Sequence, residues 1–134
     1  MTEHKRGFLA VLGVMVLAGC ASVPSMEQQA AADYGRVMSA DECVSVTEQT
    51  ISRLLKDPGS AQYRHSPCIR GYWSSVPILG MRAAFGYFQQ GEINAKNSFG
   101  GYVGFRQYQI LMKNGLPIRY CIADDNGLCV AVGN

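Results

Sequence analysis

Five cysteines are the residues of this chain whose side chains could do chemistry most directly. A cysteine sulfur can be alkylated, oxidised to a disulfide or bound to a metal, and its sequence context separates these outcomes. Cys20 stands at the end of an apolar run, whereas Cys43, Cys68, Cys121 and Cys129 are spread through the rest of the chain. The sequence therefore predicts one chemistry for Cys20 and another for the other four.

The segment ahead of Cys20 has the composition of an export leader. Lys5 and Arg6 precede an uncharged apolar run over residues 8–18, and small residues stand just before the cysteine. A basic start, a short apolar run and a small-residue cleavage site are typical of a secretory leader. The run is too short for a transmembrane helix, which needs about 20 apolar residues. We therefore expect residues 1–19 to be removed.

The four residues Leu17-Ala18-Gly19-Cys20 resemble the lipobox of bacterial lipoproteins. The resemblance implies that a diacylglycerol alkylates Cys20, that cleavage occurs just before it, and that a further acyl chain such as palmitate is added to the new amine. Two or more acyl chains anchor a protein stably, whereas one chain does so only marginally. Ala21, rather than Asp, implies sorting to the outer membrane. The expected location is the periplasmic face of that membrane, with the lipid anchor as the membrane contact.

Charge and composition bound the function of the mature part. The whole chain has a formal net charge of +2, and the leader carries away Lys5, Arg6 and Glu3, so the remainder is close to neutral. Nucleic-acid binding needs a basic patch, and none stands out in the sequence. We expect a lipidated tether over residues 20–38, rich in Ala, Gln and Ser, and one small disulfide-bonded domain over residues 39–134.

Four cysteines remain after lipidation of Cys20, and an even number in a small exported domain predicts a disulfide framework. Four cysteines allow three connectivities, and the sequence does not choose among them. We favour Cys43–Cys68 and Cys121–Cys129, because the second pair flanks one turn and a strand returning along the helix could bring Cys68 to Cys43. The alternative is a zinc site that uses these thiols and His65, although the paired C-x-x-C spacing of such sites is absent.

The predicted fold is α+β, with one N-terminal amphipathic helix packed on an antiparallel sheet of about four to five strands. Ser39 and Glu42 form a capping-box pattern, apolar residues recur at helical spacing from Val44 to Leu55, and Pro58 ends the helix near Lys56. Turn residues then separate β-like segments. The predicted strands cover residues 62–70, 84–95, 102–112, 117–123 and 128–132, with a loop over residues 71–82.

Two segments of this domain resemble small, poorly characterised bacterial envelope and phage-related proteins. The first is residues 55–63, LKDPGSAQY, and the second lies within residues 91–105, GEINAKNSFGGYVGF. The resemblance covers about 25 residues. The proteins that it resembles carry a cysteine where this chain has Gln90. The resemblance therefore implies that the disulfides of this chain are arranged differently from theirs. The resemblance implies a fold and supplies no activity.

The second of these segments is a candidate recognition loop. Asn94, Lys96, Asn97 and Phe99 could contact a partner, and this is the functional interpretation. The alternative is turn chemistry, because Asn side chains bond to nearby backbone and Gly100 and Gly101 suit a tight turn. We favour the turn-chemistry interpretation.

The predicted loop over residues 71–82 is the other candidate contact surface. It contains Trp73, Ile78 and Leu79, which the helix and sheet would not fully cover. Exposed apolar and aromatic clusters mark partner or membrane contacts. The loop could equally fold back and close an open face of the sheet.

No set of catalytic residues, metal ligands or cofactor ligands stands out in the sequence. We therefore predict a membrane-anchored envelope lipoprotein that acts as a non-enzymatic binding or structural accessory module, with an envelope protein as its expected partner. A narrower version is an inhibitor or exclusion factor that acts on a wall hydrolase or a phage component. The alternative from another class is a small periplasmic hydrolase in which His65 is central.

Overall fold

The computed structural model describes residues 21–133, so Cys20 and the predicted leader lie outside the described residues. This part of the chain forms two helices and six strands, with short 3-10 turns at Pro58–Ser60 and Pro77–Leu79. The elements are α1 (Met26–Ala31), α2 (Ala40–Ser52), β1 (Gln62–His65), β2 (Ile69–Trp73), β3 (Ala84–Asn94), β4 (Arg106–Lys113), β5 (Leu116–Ala123) and β6 (Cys129–Gly133).

The six strands form one antiparallel sheet that is five strands wide. β3, β4, β5 and β6 follow one another as a meander. β1 and β2 lie one after the other along the free edge of β3, because β1 pairs with residues 91–94 and β2 pairs with residues 84–88. The predicted α+β class and the antiparallel sheet are confirmed.

Helix α2 covers one face of the sheet, where it packs on β3, β4 and β5. Strand side chains alternate between the two faces of a sheet, so Tyr108, Ile110 and Met112 of β4 all lie under the helix. Each of these three is almost fully buried. The core is completed by residues of the neighbouring elements, namely Met38, Cys43, Ile51, Tyr87, Ile93 and Ile122.

The predicted start of α2 is confirmed, whereas its predicted end is wrong. The Ser39 hydroxyl accepts a hydrogen bond from the Glu42 amide at 3.2 Å, as an N-cap should. The helix ends at Ser52 rather than near Lys56, because the amides of Leu54 and Leu55 bond to carbonyls only three residues back. These tighter bonds take the chain out of the α-helix one turn early.

Helix α2 is not the N-terminal helix of the chain, because α1 precedes it. The residues between the two helices pack on the domain. Tyr34 meets the ring of Phe85 edge to face at 5.8 Å, and Asp33 forms an ion pair with Lys113 at 2.9 Å. The segment that was expected to be a tether is therefore attached to the sheet along much of its length.

At three places the strands differ from the prediction by more than one residue. The segment 62–70 is two strands, since Pro67 has no amide hydrogen for the ladder and Cys68 is bonded to Cys43. β2 continues through Trp73, so only the later part of the predicted loop 71–82 is irregular. β4 starts at Arg106 rather than at residue 102, because Gly104 has a φ of 95° that a regular strand does not adopt.

Both favoured disulfides are confirmed. Cys43 of α2 is bonded to Cys68, and Cys121 of β5 is bonded to Cys129 of β6. The alternative of a zinc site on these thiols is wrong, because all four sulfurs are in disulfides. Across residues 21–133 no group of three or more His, Cys, Asp or Glu side chains is arranged to hold a metal ion.

Candidate functional site

The loop between β3 and β4 holds its shape with the two asparagines that were candidate recognition residues. The Asn97 side-chain oxygen accepts from the Phe99 amide at 2.9 Å and from the Gly101 amide at 3.2 Å. The Asn94 side-chain oxygen accepts from the Gly104 amide at 3.1 Å. For these two residues the structure supports the turn-chemistry interpretation.

The other two candidates of this loop present their side chains differently. Phe99 is 97% exposed at the tip of the turn. Lys96 is fixed by its backbone amide, which donates to the Ser60 hydroxyl at 2.9 Å, and its ammonium lies 5.5 Å from the centre of the Tyr102 ring. A large aromatic side chain fully in water is a feature that contact with a partner would explain.

Beside this loop the sheet face is no longer covered by α2, because the helix has already ended. A cavity of about 210 Å³ lies there, between the residues that follow the helix and the ends of β3, β4 and β5. Its lining is mostly apolar: Leu54, Leu55, Lys56, Ile93, Ala95, Lys96, Asn97, Val103, Arg106 and Ile122. We call it the distal cavity. It brings Lys96 and Asn97 together with residues that are remote from them in sequence.

The charges of the distal cavity have one sign. Lys56, Lys96 and Arg106 line it, and no acidic residue does. Arg106 also lies 3.4 Å from Asp125, which is 81% exposed and neutralises it only weakly. An apolar floor with a cationic rim fits an apolar group that carries an acidic neighbour.

His65 is the last residue of β1, an edge strand of the sheet, and its side chain faces α2. Its Nδ1 is 2.5 Å from the Tyr108 hydroxyl and its Nε2 is 3.0 Å from a carboxylate oxygen of Glu48. The carboxylate can only accept, so Nε2 donates to it, and in the neutral imidazole Nδ1 then accepts from the hydroxyl. The Tyr63 ring stacks on the imidazole at 5.2 Å. Both ring nitrogens are therefore engaged inside the protein.

Gly91 makes this cluster possible. It pairs with His65 on β1 and with Tyr108 on β4, so the three residues lie on one rung of the sheet. A Cβ on Gly91 would lie 2.0 Å from the Arg64 carbonyl oxygen and 2.6 Å from the Tyr108 hydroxyl. The absence of a side chain lets the Tyr108 ring reach across the rung to the imidazole.

The chemistry of this cluster gives no support to a hydrolase. Burial raises the pKa of Tyr108, and the neighbouring Tyr63 and Glu48 raise it further, so the phenol stays protonated and is a poor nucleophile. His65 lines none of four cavities found among residues 21–133, although Tyr108 lines one of them. The arrangement is that of a satisfied structural histidine.

The second candidate surface divides into two parts. Trp73 belongs to β2 and is half-buried, with its ring 6.4 Å from that of Phe88. Ile78 and Leu79 lie in the 3-10 turn beyond it and are 80% and 70% exposed. The loop therefore does not fold back to bury these two side chains, which excludes the closure alternative for them.

The prediction from sequence missed most of the distal cavity. Leu54 and Leu55 were assigned to the apolar stripe of the helix, and Val103 was assigned to a strand. Gly104, between Tyr102 and Phe105, was the one weak sign in the sequence that this segment is a loop rather than a strand. Ile122 lines the distal cavity only because the tertiary fold brings β5 beside it.

Comparisons with known proteins return no matches. No family model matches the chain, and no curated protein and no solved structure matches it significantly.

Within residues 21–133 no helix is both long enough and apolar enough to cross a bilayer.

Proposed function

We propose that this protein is a bacterial lipoprotein of the outer membrane, anchored on the periplasmic side by acyl groups on Cys20, and that it works as a non-enzymatic binding module. The leader-like residues 1–19 and the Leu-Ala-Gly-Cys sequence support the anchor. The two disulfides support an oxidising compartment such as the cell envelope.

The observation that carries the binding role is the position of the distal cavity relative to the lipidated end. Ser22 exchanges backbone hydrogen bonds with Ser75, close to the start of β3, whereas the distal cavity lies at the end of β3. β3 has 11 residues, which corresponds to about 35 Å at 3.3 Å per residue. An anchor at one end of the sheet would thus place the distal cavity well away from the membrane.

The expected partner follows from the shape and charge of this end. The distal cavity would receive an apolar side chain of an envelope protein, and Phe99 beside it would pack on the surrounding surface. Lys56, Lys96 and Arg106 would favour a partner with acidic residues next to that side chain. Aromatic and cationic residues of this kind often dominate protein–protein binding energies.

Site-specific photocrosslinking in living cells tests this proposal. A photoreactive residue at Phe99 should give a reproducible protein adduct, because this side chain stands beside the distal cavity. The matched control is Leu116, which is 66% exposed but starts β5, next to the β4–β5 turn at the other end of the sheet. Absence of an adduct from Phe99, or the same adducts from both positions, would contradict the proposal.

A narrower form of the proposal is an inhibitor or exclusion factor. It is motivated by the resemblance of residues 55–63 and 91–105 to envelope and phage-related proteins. The identity of the crosslinked protein decides it. A wall hydrolase or a phage component would support this form, whereas a structural envelope protein would exclude it and leave the binding role intact.

A further inference from the structure

The end of the sheet opposite the distal cavity carries a separate cluster of exposed apolar side chains. Val23 and Met26 follow Cys20 closely, and Ile78 and Leu79 lie in the turn after β2; each is more than 60% exposed. We call these four residues the proximal apolar surface. Side chains of this size, exposed to water on two segments that pair at Ser22 and Ser75, call for an explanation.

Hydrogen bonds connect the two halves of this surface. The Ser22 amide donates to the Ser75 carbonyl at 3.0 Å, and the Ser75 amide donates back at 3.3 Å. Pro24 and Gln28 on one side, and Pro77, Met81 and Arg82 on the other, line a shared hollow. The start of the described chain and the turn after β2 are therefore one continuous surface.

The position of Cys20 identifies what could cover this surface. Cys20 precedes Ser22 by two residues in the sequence, and two residues of chain span at most about 7 Å. Acyl chains on Cys20 would hold a lipid bilayer against whatever part of the protein surrounds Ser22. That part is the proximal apolar surface.

Charge agrees with a lipid surface as the occupant. Residues 74–83 contain no acidic residue, and Arg82 is an exposed cation beside the shared hollow. The segment 21–26 has no charged residue at all. Apolar tips flanked by a cation are the usual composition of segments that lie at the boundary of headgroups and acyl chains.

We propose that the proximal apolar surface rests in the membrane, with Ile78 and Leu79 inserted among the acyl chains next to the lipidated Cys20. This inference rests on the proposed lipidation. It adds that the protein is held in a fixed orientation, with β3 directed away from the bilayer and the distal cavity facing the periplasm, rather than swinging freely on a tether.

Depth-dependent fluorescence quenching tests the orientation, because Trp73 is the only tryptophan. Trp73→Phe provides a background without indole, and Leu79→Trp then places a single indole on the proximal apolar surface. The lipidated protein is purified from cell envelopes and reconstituted into vesicles of phosphatidylethanolamine and phosphatidylglycerol with brominated acyl chains. Insertion to a depth of about 5–10 Å should quench the indole by about half or more.

The matched control is Phe99→Trp in the same background. Its indole should lose less than about a tenth of its fluorescence, because it would lie roughly the length of β3 from the bilayer. Both substituted positions are highly exposed, so neither exchange disturbs the core. Ile78→Trp is a second probe that should behave like Leu79→Trp.

The outcomes separate this inference from the proposed function. Protein that does not float with the vesicles lacks its anchor, and this result would overturn both. Protein that floats, but whose Leu79→Trp indole is quenched no more than that of Phe99→Trp, would overturn the orientation alone. Protein adducts from a photoreactive residue at Leu79, without quenching, would show that a protein covers this surface and would likewise overturn the inference.

Discussion

Helix α2 covers one part of the sheet face and stops short of another, and the two parts differ in almost every physical respect. Under the helix lie His65 and Tyr108, whose polar groups bond to each other and to Glu48 of α2. Beyond Ser52 the helix no longer covers this face, and the distal cavity there has mainly apolar walls. The residue that most resembled a catalytic group is thus part of the internal structure. The surface available for binding arises from apolar residues that a continuing helix would have covered.

The test with the largest expected effect on stability removes the two disulfides, one at a time. Replacing Cys43 and Cys68 by Ala should lower the free energy of unfolding by about 3.5 kcal/mol, because that disulfide joins residues 25 apart in sequence. The same exchange at Cys121 and Cys129, which are 8 apart, should cost about 2.5 kcal/mol. Guanidinium unfolding followed by circular dichroism measures both.

The order of these two losses is the informative result. A greater loss for the pair on β5 and β6 would mean that the helix-covered part of the sheet does not dominate stability. Oxidised wild-type protein serves as the reference in both cases.

The second test contrasts two glycines. Gly91→Ala should cost about 2 kcal/mol, since the added carbon meets the Arg64 carbonyl oxygen and displaces the Tyr108 ring from His65. Gly101→Ala, in the loop beside the distal cavity, should change stability by less than about 0.5 kcal/mol, because nothing lies closer than 3.9 Å. Equal losses from the same unfolding measurement would refute the view that only the helix-covered part is tightly packed.

The third test fills the distal cavity with a larger side chain. Ala95 lines the distal cavity and is almost fully buried. Ala95→Val should raise the stability by about 0.5–1 kcal/mol, as cavity-filling exchanges do, and should reduce photocrosslinking from Phe99. A stability gain with undiminished crosslinking would show that the partner does not use the distal cavity.

The smallest effect is the pH dependence of the turn between β5 and β6. The Asp124 carboxylate accepts from the Leu128 and Asn126 amides, which holds its pKa below the ordinary 3.8. As the pH falls, Asp124 of the unfolded chain is protonated before Asp124 of the folded protein. The stability that the Asp124 carboxylate contributes is therefore complete above about pH 4 and is lost as the pH falls through the folded pKa. Asp124→Asn should reduce the loss of stability between pH 5 and pH 2. An unchanged pH profile would contradict it.

Much of the fold follows from local signals, and the candidate site does not. The Ser39 cap and the pairing of Cys121 with Cys129 depend on neighbouring residues, so spacing and residue type suffice to predict them. The early end of α2 depends on bonds of the Leu54 and Leu55 amides, which periodicity does not reveal. The distal cavity depends on both that ending and the position of Ile122 on another strand. Its existence is therefore a tertiary property.

The lipidation of Cys20 remains the central claim, because the location, the orientation and the direction of the distal cavity all depend on it. Mass spectrometry of the protein purified from cell envelopes measures it directly. We predict a mature chain that begins at Cys20 and carries a diacylglyceryl group on its sulfur and an acyl chain on its amine. An unmodified Cys20, or a chain that retains residues 1–19, would contradict the account.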